Sequence, residues 1–159
     1  MAQRVALAAD HRGYLLKGII KDFLQGRGEH VLDLGTNSSE PVDYPDYALA
    51  VAEAILAGRA DCGIILCGSG IGASVAANKI PGIRAGLCHD TFMAHQGRED
   101  DDMNVICLGA GVVGPQLAVE IVKTCLDARF SGAERHVRRL NKVAEIERNY
   151  LSQTSPGRA

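Results

Sequence analysis

The sequence predicts a single α/β domain, a three-layer Rossmann-like sandwich with a five-stranded, mainly parallel sheet and a C-terminal helix. Short apolar segments with strand character alternate along the chain with amphipathic segments of helical period. The chain is also 47% hydrophobic but only 4% aromatic. Its core must therefore consist mostly of Ala, Val, Ile and Leu, a composition typical of strands that are covered on both faces.

The alternation assigns each element in order. Because parallel neighbours need a crossover connection, strands separated by helices predict helices on both faces of the sheet. The predicted strands are Arg4–Ala9, His30–Leu34, Cys62–Leu66, Ile83–Cys88 and Asn104–Leu108. The predicted helices are Tyr14–Gln25, Tyr47–Ala57, Ala73–Lys79, Thr91–Arg98, Pro115–Ala128 and Ala133–Tyr150. We expect one domain over residues 1–151 and a disordered tail over residues 152–159.

Composition argues against several functional classes. The net charge is −2 and there are no long basic runs, so we expect a small-molecule partner and no nucleic acid. The chain contains no signal peptide and no apolar run of about 18 residues, so we expect a cytoplasmic protein without a membrane partner. The cysteines are odd in number and form no C-x-x-C pair, which argues against disulfides and zinc. They are Cys62, Cys67, Cys88, Cys107 and Cys125.

A glycine-rich turn, CGSGIGASVAANK, follows the third predicted strand. Ligands of such sheets bind outside the carboxyl ends of the strands, and glycines let the backbone approach them closely. We therefore predict that Gly68, Gly70 and Gly72 bind the substrate. The residues from Gly68 to Ala73 also match the dinucleotide pattern G-x-G-x-x-A, and Asp90 lies about where the ribose-binding acid of that pattern is expected. A nucleotide-binding protein is thus an alternative, and tight turns alone explain the pattern equally well.

A second glycine pattern, Gly109 to Gly114, follows the fifth predicted strand. Only helices are predicted after it, so no later strand can carry a ribose-binding acid. At least one of the two patterns must therefore be accidental.

Cys67 lies at the mouth of the first glycine turn, where a helix N-terminus favours the thiolate over the thiol. A thiolate can remove the proton beside a sugar carbonyl, and the backbone N–H groups of Ser69 to Gly72 can stabilise the resulting enediolate. We predict that Cys67 is the base of an aldose-ketose isomerisation and that Ser69 belongs to the catalytic set. The other cysteines are expected to be small buried hydrophobes.

Polar residues follow the first two strands. Asp10 and His11 can bind the hydroxyls or ring oxygen of a sugar, although either residue can equally cap the first helix. Asp43 and Tyr44 precede Pro45, which suits the first turn of a helix, so they have the same two interpretations.

Basic residues cluster near the C-terminus in ERHVRRL. The spacing lets Arg135, His136 and Arg139 share one helical face, which suits a phosphate group. A solvated basic helix face is the more frequent explanation of such a cluster.

Five segments together resemble the type B ribose-5-phosphate isomerases and their galactose-6-phosphate isomerase relatives, over about residues 4–150. The segments are AADHRGYLLK, DYPDYA, ILCGSGIGASVAANKIPGIRAGLCHD, NVICLG and GAERHVRRL. The resemblance implies a cofactor-free, metal-free enzyme of the pentose phosphate pathway that interconverts D-ribose 5-phosphate and D-ribulose 5-phosphate through an enediolate. It also implies a homodimer or homotetramer whose sites are shared between subunits.

The resemblance also assigns roles by position. Cys67 matches the base of one branch of the family, whereas Ala73 stands where another branch has a glutamate base. Ser69 to Gly72 match the turn that holds the enediolate. The sugar-contacting positions match Asp10, His11, Asp43 and Tyr44, and the phosphate-binding region matches Arg135, His136 and Arg139.

Two departures from the family pattern concern the substrate. Asp100, Asp101 and Asp102 stand where the family reads His-Asn-Asp, so the ring-opening histidine is missing. We expect Asp100 to serve as the ring-opening acid-base and Asp101 to contact the substrate. Gly111 stands where the family has a phosphate-binding arginine donated by the partner subunit. Each added carboxylate repels a phosphate dianion by about 1 kcal/mol in a wet site.

These departures leave alternatives open. One is an isomerase of the same family that acts on a tetrose, a hexose or an unphosphorylated sugar, and another is a non-catalytic sensor. The acidic run itself is also explained by a solvated helix end, or by oxygen ligands for Mg²⁺ or Ca²⁺.

Overall fold

The computed structural model describes residues 2–153, in which strands and helices alternate as predicted. The strands are β1 (Arg4–Ala9), β2 (His30–Asp33), β3 (Cys62–Cys67), β4 (Ala85–Leu87) and β5 (Val105–Gly109). The helices are α1 (Tyr14–Gly26), α2 (Tyr44–Leu56), α3 (Ile71–Ala77), α4 (Thr91–Asp101), α5 (Pro115–Asp127) and α6 (Glu134–Gln153).

The five strands form one parallel sheet in the order β2-β1-β3-β5-β4. The predicted fold class is therefore confirmed. Because the strands are parallel, β1, β3 and β5 all end at one edge of the sheet, which we call the carboxyl edge. The opposite edge, where the strands begin, is the amino edge.

Both faces of the sheet are covered by helices. Successive residues of a strand point to opposite faces, and β1 follows this rule. Val5 and Leu7 pack in one core cluster with side chains of α1 and α5. Ala6 and Ala8 pack in a second cluster with side chains of α2 and α3. All four side chains are fully buried, so β1 is covered by helices on both faces of the sheet.

Strand β4 is shorter than predicted, with three residues instead of the span from Ile83 to Cys88. Ile83 closes a turn, because its N–H donates to the Ile80 carbonyl. Arg84 donates its N–H to the Asn104 side chain instead of to a neighbouring strand. Apolar composition alone therefore overestimates this edge strand.

Helix α2 begins at Tyr44, three residues before the predicted start at Tyr47, with Pro45 in its first turn. Helix α3 begins at Ile71 instead of Ala73. The early start of α2 brings Tyr44 to the glycine turn after β3, as described below.

Helix α6 follows the end of α5 at the amino edge, where the Ser131 N–H donates to the Glu99 carbonyl of α4. Its backbone is helical to Gln153. The rest of the predicted disordered tail, residues 154–159, lies outside the described residues. Among the helices of the described part, none is both long enough and apolar enough to cross a membrane.

Candidate active site

The thiol of Cys67 lies at the carboxyl edge, at the last position of β3. Its Sγ accepts a hydrogen bond from the Gly70 N–H at 3.1 Å. The side chain is buried, with 4% of its surface exposed. The turn after the strand therefore folds back on the sulfur and offers it a donor, which stabilises a thiolate more than a thiol.

Gly70 closes this turn in the left-handed region, with φ of 79°. A Cβ at Gly70 would also lie 3.0 Å from the Leu108 carbonyl carbon. Both facts require glycine at this position. The N–H groups of Ser69 and Gly72, in contrast, donate to no acceptor among residues 2–153. Of the four N–H groups that the sequence assigned to the enediolate, Ser69 and Gly72 thus have free donors, whereas the Gly70 and Ile71 N–H groups donate to Cys67 Sγ and Ser69 Oγ.

The turn after β1 lies beside the Cys67 turn, because the Asp10 N–H donates to the Leu66 carbonyl. The Asp10 carboxylate is buried, and its Oδ1 accepts the N–H groups of Arg12 and Gly13 at 2.9 and 3.0 Å. Asp10 thus holds the turn that leads into α1, but it does not cap the helix, because the N-cap is Gly13 and no side chain caps it. His11 is half-buried, and its Nδ1 lies 3.2 Å from the Val42 carbonyl oxygen.

Two side chains cover the glycines of the Cys67 turn. The Tyr44 ring lies against Gly72, where a Cβ would come within 2.8 Å of Tyr44 Cζ. The Arg12 guanidinium lies against Gly68, where a Cβ would come within 2.5 Å of Arg12 Cζ. The sequence predicted Tyr44 but missed Arg12. Asp43, the N-cap residue of α2, makes no capping hydrogen bond with its side chain, which is exposed.

A second group of predicted residues lies at the amino edge, where α4 ends and α6 begins. Asp100 Oδ1 lies 3.3 Å from His136 Nδ1, and Ser131 Oγ lies 2.8 Å from the same nitrogen. His136 is 2% exposed. His136 thus packs toward α4, while Arg135 and Arg139 of the same helix are exposed.

Opposite edges of the sheet thus carry the two predicted groups. Cys67 ends β3, whereas Asp100 lies at the end of α4, just before β5 begins. A six-residue strand such as β3 spans about 20 Å. A single chain therefore does not bring Asp100, Arg135 or Arg139 to the Cys67 turn.

Gly111, in contrast, lies at the Cys67 turn of its own chain. Its N–H donates to the Gly68 carbonyl at 2.9 Å, because β3 and β5 are parallel neighbours that end together. The expectation that this position faces the turn from a partner subunit is therefore wrong.

The structure also tests the residue proposed as a ribose-binding acid. Asp90 is the N-cap of α4, and its Oδ1 accepts the Met93 N–H at 2.8 Å. This carboxylate therefore has a capping role. Within residues 2–153, no group of three His, Cys, Asp or Glu side chains is arranged to hold a metal ion.

A groove with room for a ligand lies between α6 and β4. Its lining consists largely of aliphatic side chains, including Ile83, Leu140, Val143 and Ile146, and it contains Asp101 but not Cys67. The groove is thus separate from the Cys67 turn.

Comparisons with known proteins identify the family of the chain. The family model described as Ribose/Galactose Isomerase matches residues 5–143. The chain belongs to the ribose/galactose isomerase family. It is accordingly an aldose-ketose isomerase, with a parallel α/β sheet like that of solved members.

Three relatives illustrate the range of this isomerase family. Ribose-5-phosphate isomerase B of Escherichia coli is 44% identical over 91% of this chain and 97% of its own length. D-erythrulose-4-phosphate isomerase of Pectobacterium atrosepticum is 46% identical over 80% of this chain and 85% of its own length. The structure of ribose-5-phosphate isomerase B from Clostridium thermocellum is 50% identical with a TM-score of 0.91, covering 92% and 99% of the two chains.

Proposed function

We propose that this isomerase interconverts D-ribose 5-phosphate and D-ribulose 5-phosphate by proton transfer through an enediolate. Two relatives that carry the name ribose-5-phosphate isomerase B support this substrate, since they align over more than nine-tenths of the chain. The observation that most directly supports this proton transfer is the hydrogen bond from the Gly70 N–H to the Cys67 sulfur.

Cys67 is the base of the proposed reaction. Its thiolate takes the proton from C2 of the open-chain aldose and becomes a thiol, while the electron pair of the broken bond forms the C1–C2 double bond of the enediolate. The thiol then returns a proton to C1, and a hydroxyl proton passes from O2 to O1. The Gly70 N–H stabilises the thiolate before the first step and again after the proton has been returned.

The enediolate needs donors that are not already bonded to the protein. The N–H groups of Ser69 and Gly72 fit this role, because they donate to no acceptor within the described residues. Fixed backbone donors of this kind stabilise charge that develops in a transition state. Asp10 and His11, on the adjacent turn, are the residues we assign to the sugar hydroxyls, with Asp43 and Tyr44 at the rim.

The amino-edge group reaches a Cys67 turn only from a second copy of the chain. We therefore propose a homo-oligomer, a dimer or a tetramer, in which Arg135 and Arg139 of one copy bind the phosphate near Cys67 of another. Large apolar side chains exposed on α2, α3 and α6 support such an interface. They are Leu49, Leu56, Ile71, Val75, Val143, Ile146 and Tyr150.

Asp100 is the acid-base that we assign to opening the furanose ring, with Asp101 beside it as a substrate contact. Asp100 is half-buried, and the hydrogen bond from Gln96 Nε2 and the neighbouring His136 ring fix its carboxylate. A fixed carboxylate can exchange a proton with the ring oxygen once the second copy brings it to the sugar.

A tetrose 4-phosphate is the second candidate substrate. The Pectobacterium relative named for D-erythrulose 4-phosphate is 46% identical to this chain, and Asp100 replaces the ring-opening histidine of the family. A tetrose whose O4 carries the phosphate cannot close a furanose ring, so its isomerisation needs no ring-opening residue. Both observations favour a linear substrate.

The two candidates are separated by kinetics on a panel of sugars. We expect the highest kcat/KM for D-ribose 5-phosphate, lower values for tetrose and hexose phosphates, and the lowest for free ribose. Asp100→Asn should lower turnover of ribose 5-phosphate by roughly tenfold or more, since general acid-base catalysis is worth at least that much. The tetrose phosphate, which needs no ring opening, should be unaffected. A higher kcat/KM for the tetrose phosphate than for ribose 5-phosphate would contradict the pentose proposal and make the tetrose phosphate the preferred substrate.

A further inference from the structure

The Arg12 guanidinium lies against the backbone of the Cys67 turn. A Cβ built on Gly68 would lie 2.5 Å from Arg12 Cζ and Nη1 and 2.7 Å from Nε. The absence of a side chain at Gly68 lets the guanidinium approach the backbone this closely. The cation therefore rests on the residue that directly follows Cys67.

The Arg12 guanidinium has no anionic partner within the described residues. No ion pair and no side-chain hydrogen bond involves it there, although the backbone N–H of Arg12 donates to Asp10. Several other cations of the domain do pair with carboxylates, such as Lys17 with Asp33 and Arg84 with Asp102. Arg12 is also exposed, so its donors are open to a ligand at the carboxyl edge.

Gly111 keeps the neighbouring space clear. A Cβ at Gly111 would lie 3.8 Å from Arg12 Nη2 and 3.0 Å from the Gly68 carbonyl oxygen. A longer side chain at this position would extend into the space beside the guanidinium. Gly68 and Gly111, which are distant in sequence, thus both lie beside the Arg12 guanidinium near Cys67.

We propose that Arg12 binds the phosphate group of the substrate, in the same subunit as the Cys67 that isomerises it. This inference rests on the proposed function. A guanidinium donates two parallel hydrogen bonds to phosphate oxygens and stays charged at any physiological pH. The carboxylates of Asp10 and Asp43 belong to the same edge and repel a phosphate, and Arg12 supplies the charge that offsets them.

The test compares two substitutions of Arg12 with one control. Arg12→Gln keeps the stem over Gly68 but removes the charge, and Arg12→Lys keeps the charge. Arg59, an exposed arginine at the end of α2 and far from the carboxyl edge, gives the matched control Arg59→Ala. Thermal melts establish that each variant is folded before kcat, KM and inhibition by inorganic phosphate are measured with D-ribose 5-phosphate.

We expect Arg12→Gln to raise both KM and the inhibition constant of inorganic phosphate by roughly tenfold to a hundredfold, the value of hydrogen bonds to a charged group. The kcat should be largely unchanged. Arg12→Lys should lose less, and Arg59→Ala should behave as wild type.

An unchanged KM and an unchanged phosphate inhibition constant in Arg12→Gln would overturn the proposal. A fall in kcat alone would also overturn it, since it would assign Arg12 to the enediolate. If the wild type does not isomerise any sugar phosphate, the proposed function fails separately. Calorimetric titration of wild type and Arg12→Gln with inorganic phosphate then still tests Arg12, and equal affinities would contradict its role.

Discussion

At the residue scale, position distinguishes Cys67 from the other four cysteines. Burial raises the pKa of Cys62 and Cys88 to about 11 and that of Cys125 to about 12. Burial raises the pKa of Cys107 as well. These four side chains are therefore thiols at neutral pH and poor bases. Cys67 alone is followed by a glycine turn that returns a backbone N–H to its sulfur.

Cys67 could be selected from the sequence because its signal is local. A strand followed directly by a glycine turn fixes both the edge and the donors. Arg12 could not be selected, because its contact depends on Gly68 and Gly111, which come close only when β3 and β5 pair. The burial of His136 likewise depends on α4, a separate element.

At the element scale, a buried ion pair fastens β2 to α1 beside the turn that carries Asp10. Lys17 Nζ lies 2.5 Å from Asp33 Oδ1, and the Lys17 side chain is 4% exposed. Lys21 Nζ lies 2.9 Å from Asp33 Oδ2 but is 38% exposed. Burial alone would raise the pKa of Asp33, but hydrogen bonds from Lys17, Lys21 and the Gly35 N–H outweigh it and lower the pKa.

Asp33→Asn should destabilise the fold by about 3 kcal/mol, because it leaves the Lys17 charge buried without a partner. Lys21→Ala is the matched control and should cost less than about 1 kcal/mol, since its pair is partly exposed. Urea denaturation at neutral pH measures both values. Equal losses of unfolding free energy in the two variants would contradict the conclusion that the buried Lys17–Asp33 pair supplies the larger part of this stability.

The same pair gives a pH dependence with a defined sign. Because the folded state lowers the pKa of Asp33 below the ordinary value of 3.8, the unfolded chain binds the proton more readily. The stability from Asp33 is thus present above about pH 4 and is lost as pH falls through the folded pKa. Asp33→Asn should lack this part of the acid dependence when urea denaturation is repeated from about pH 7 down to about pH 3.

At the scale of the whole molecule, the fold is far more predictable than the assembled site. The order of elements follows from apolar periodicity, which is a local property, and only the ends of elements, such as those of β4 and α2, deviate. The same periodicity does not determine how two copies of the chain associate. The structure supplies the missing constraint, because Cys67 and Asp100 lie at opposite edges of one sheet.

Mixed oligomers test the proposed sharing of sites. Cys67→Ala and the double variant Arg135→Ala/Arg139→Ala should each be nearly inactive at low substrate concentration. Co-refolding equal amounts should restore about a quarter of wild-type activity in a dimer. Half of the dimers are then mixed, and each mixed dimer has one intact site out of two. No recovery in demonstrably mixed dimers would mean that each site is built within one chain.

The central claim is that Cys67 moves the proton, and hydrogen exchange with solvent measures that step directly. In D₂O, NMR should detect deuterium at C1 of the ketose formed from D-ribose 5-phosphate by the wild type, because the Cys67 thiol exchanges its proton with solvent. Cys125→Ala, a buried cysteine in the core, should retain this exchange. Cys67→Ala should remain folded and lose the exchange together with turnover. Retention of more than about a tenth of the wild-type rate in folded Cys67→Ala would contradict the assignment of Cys67 as the base.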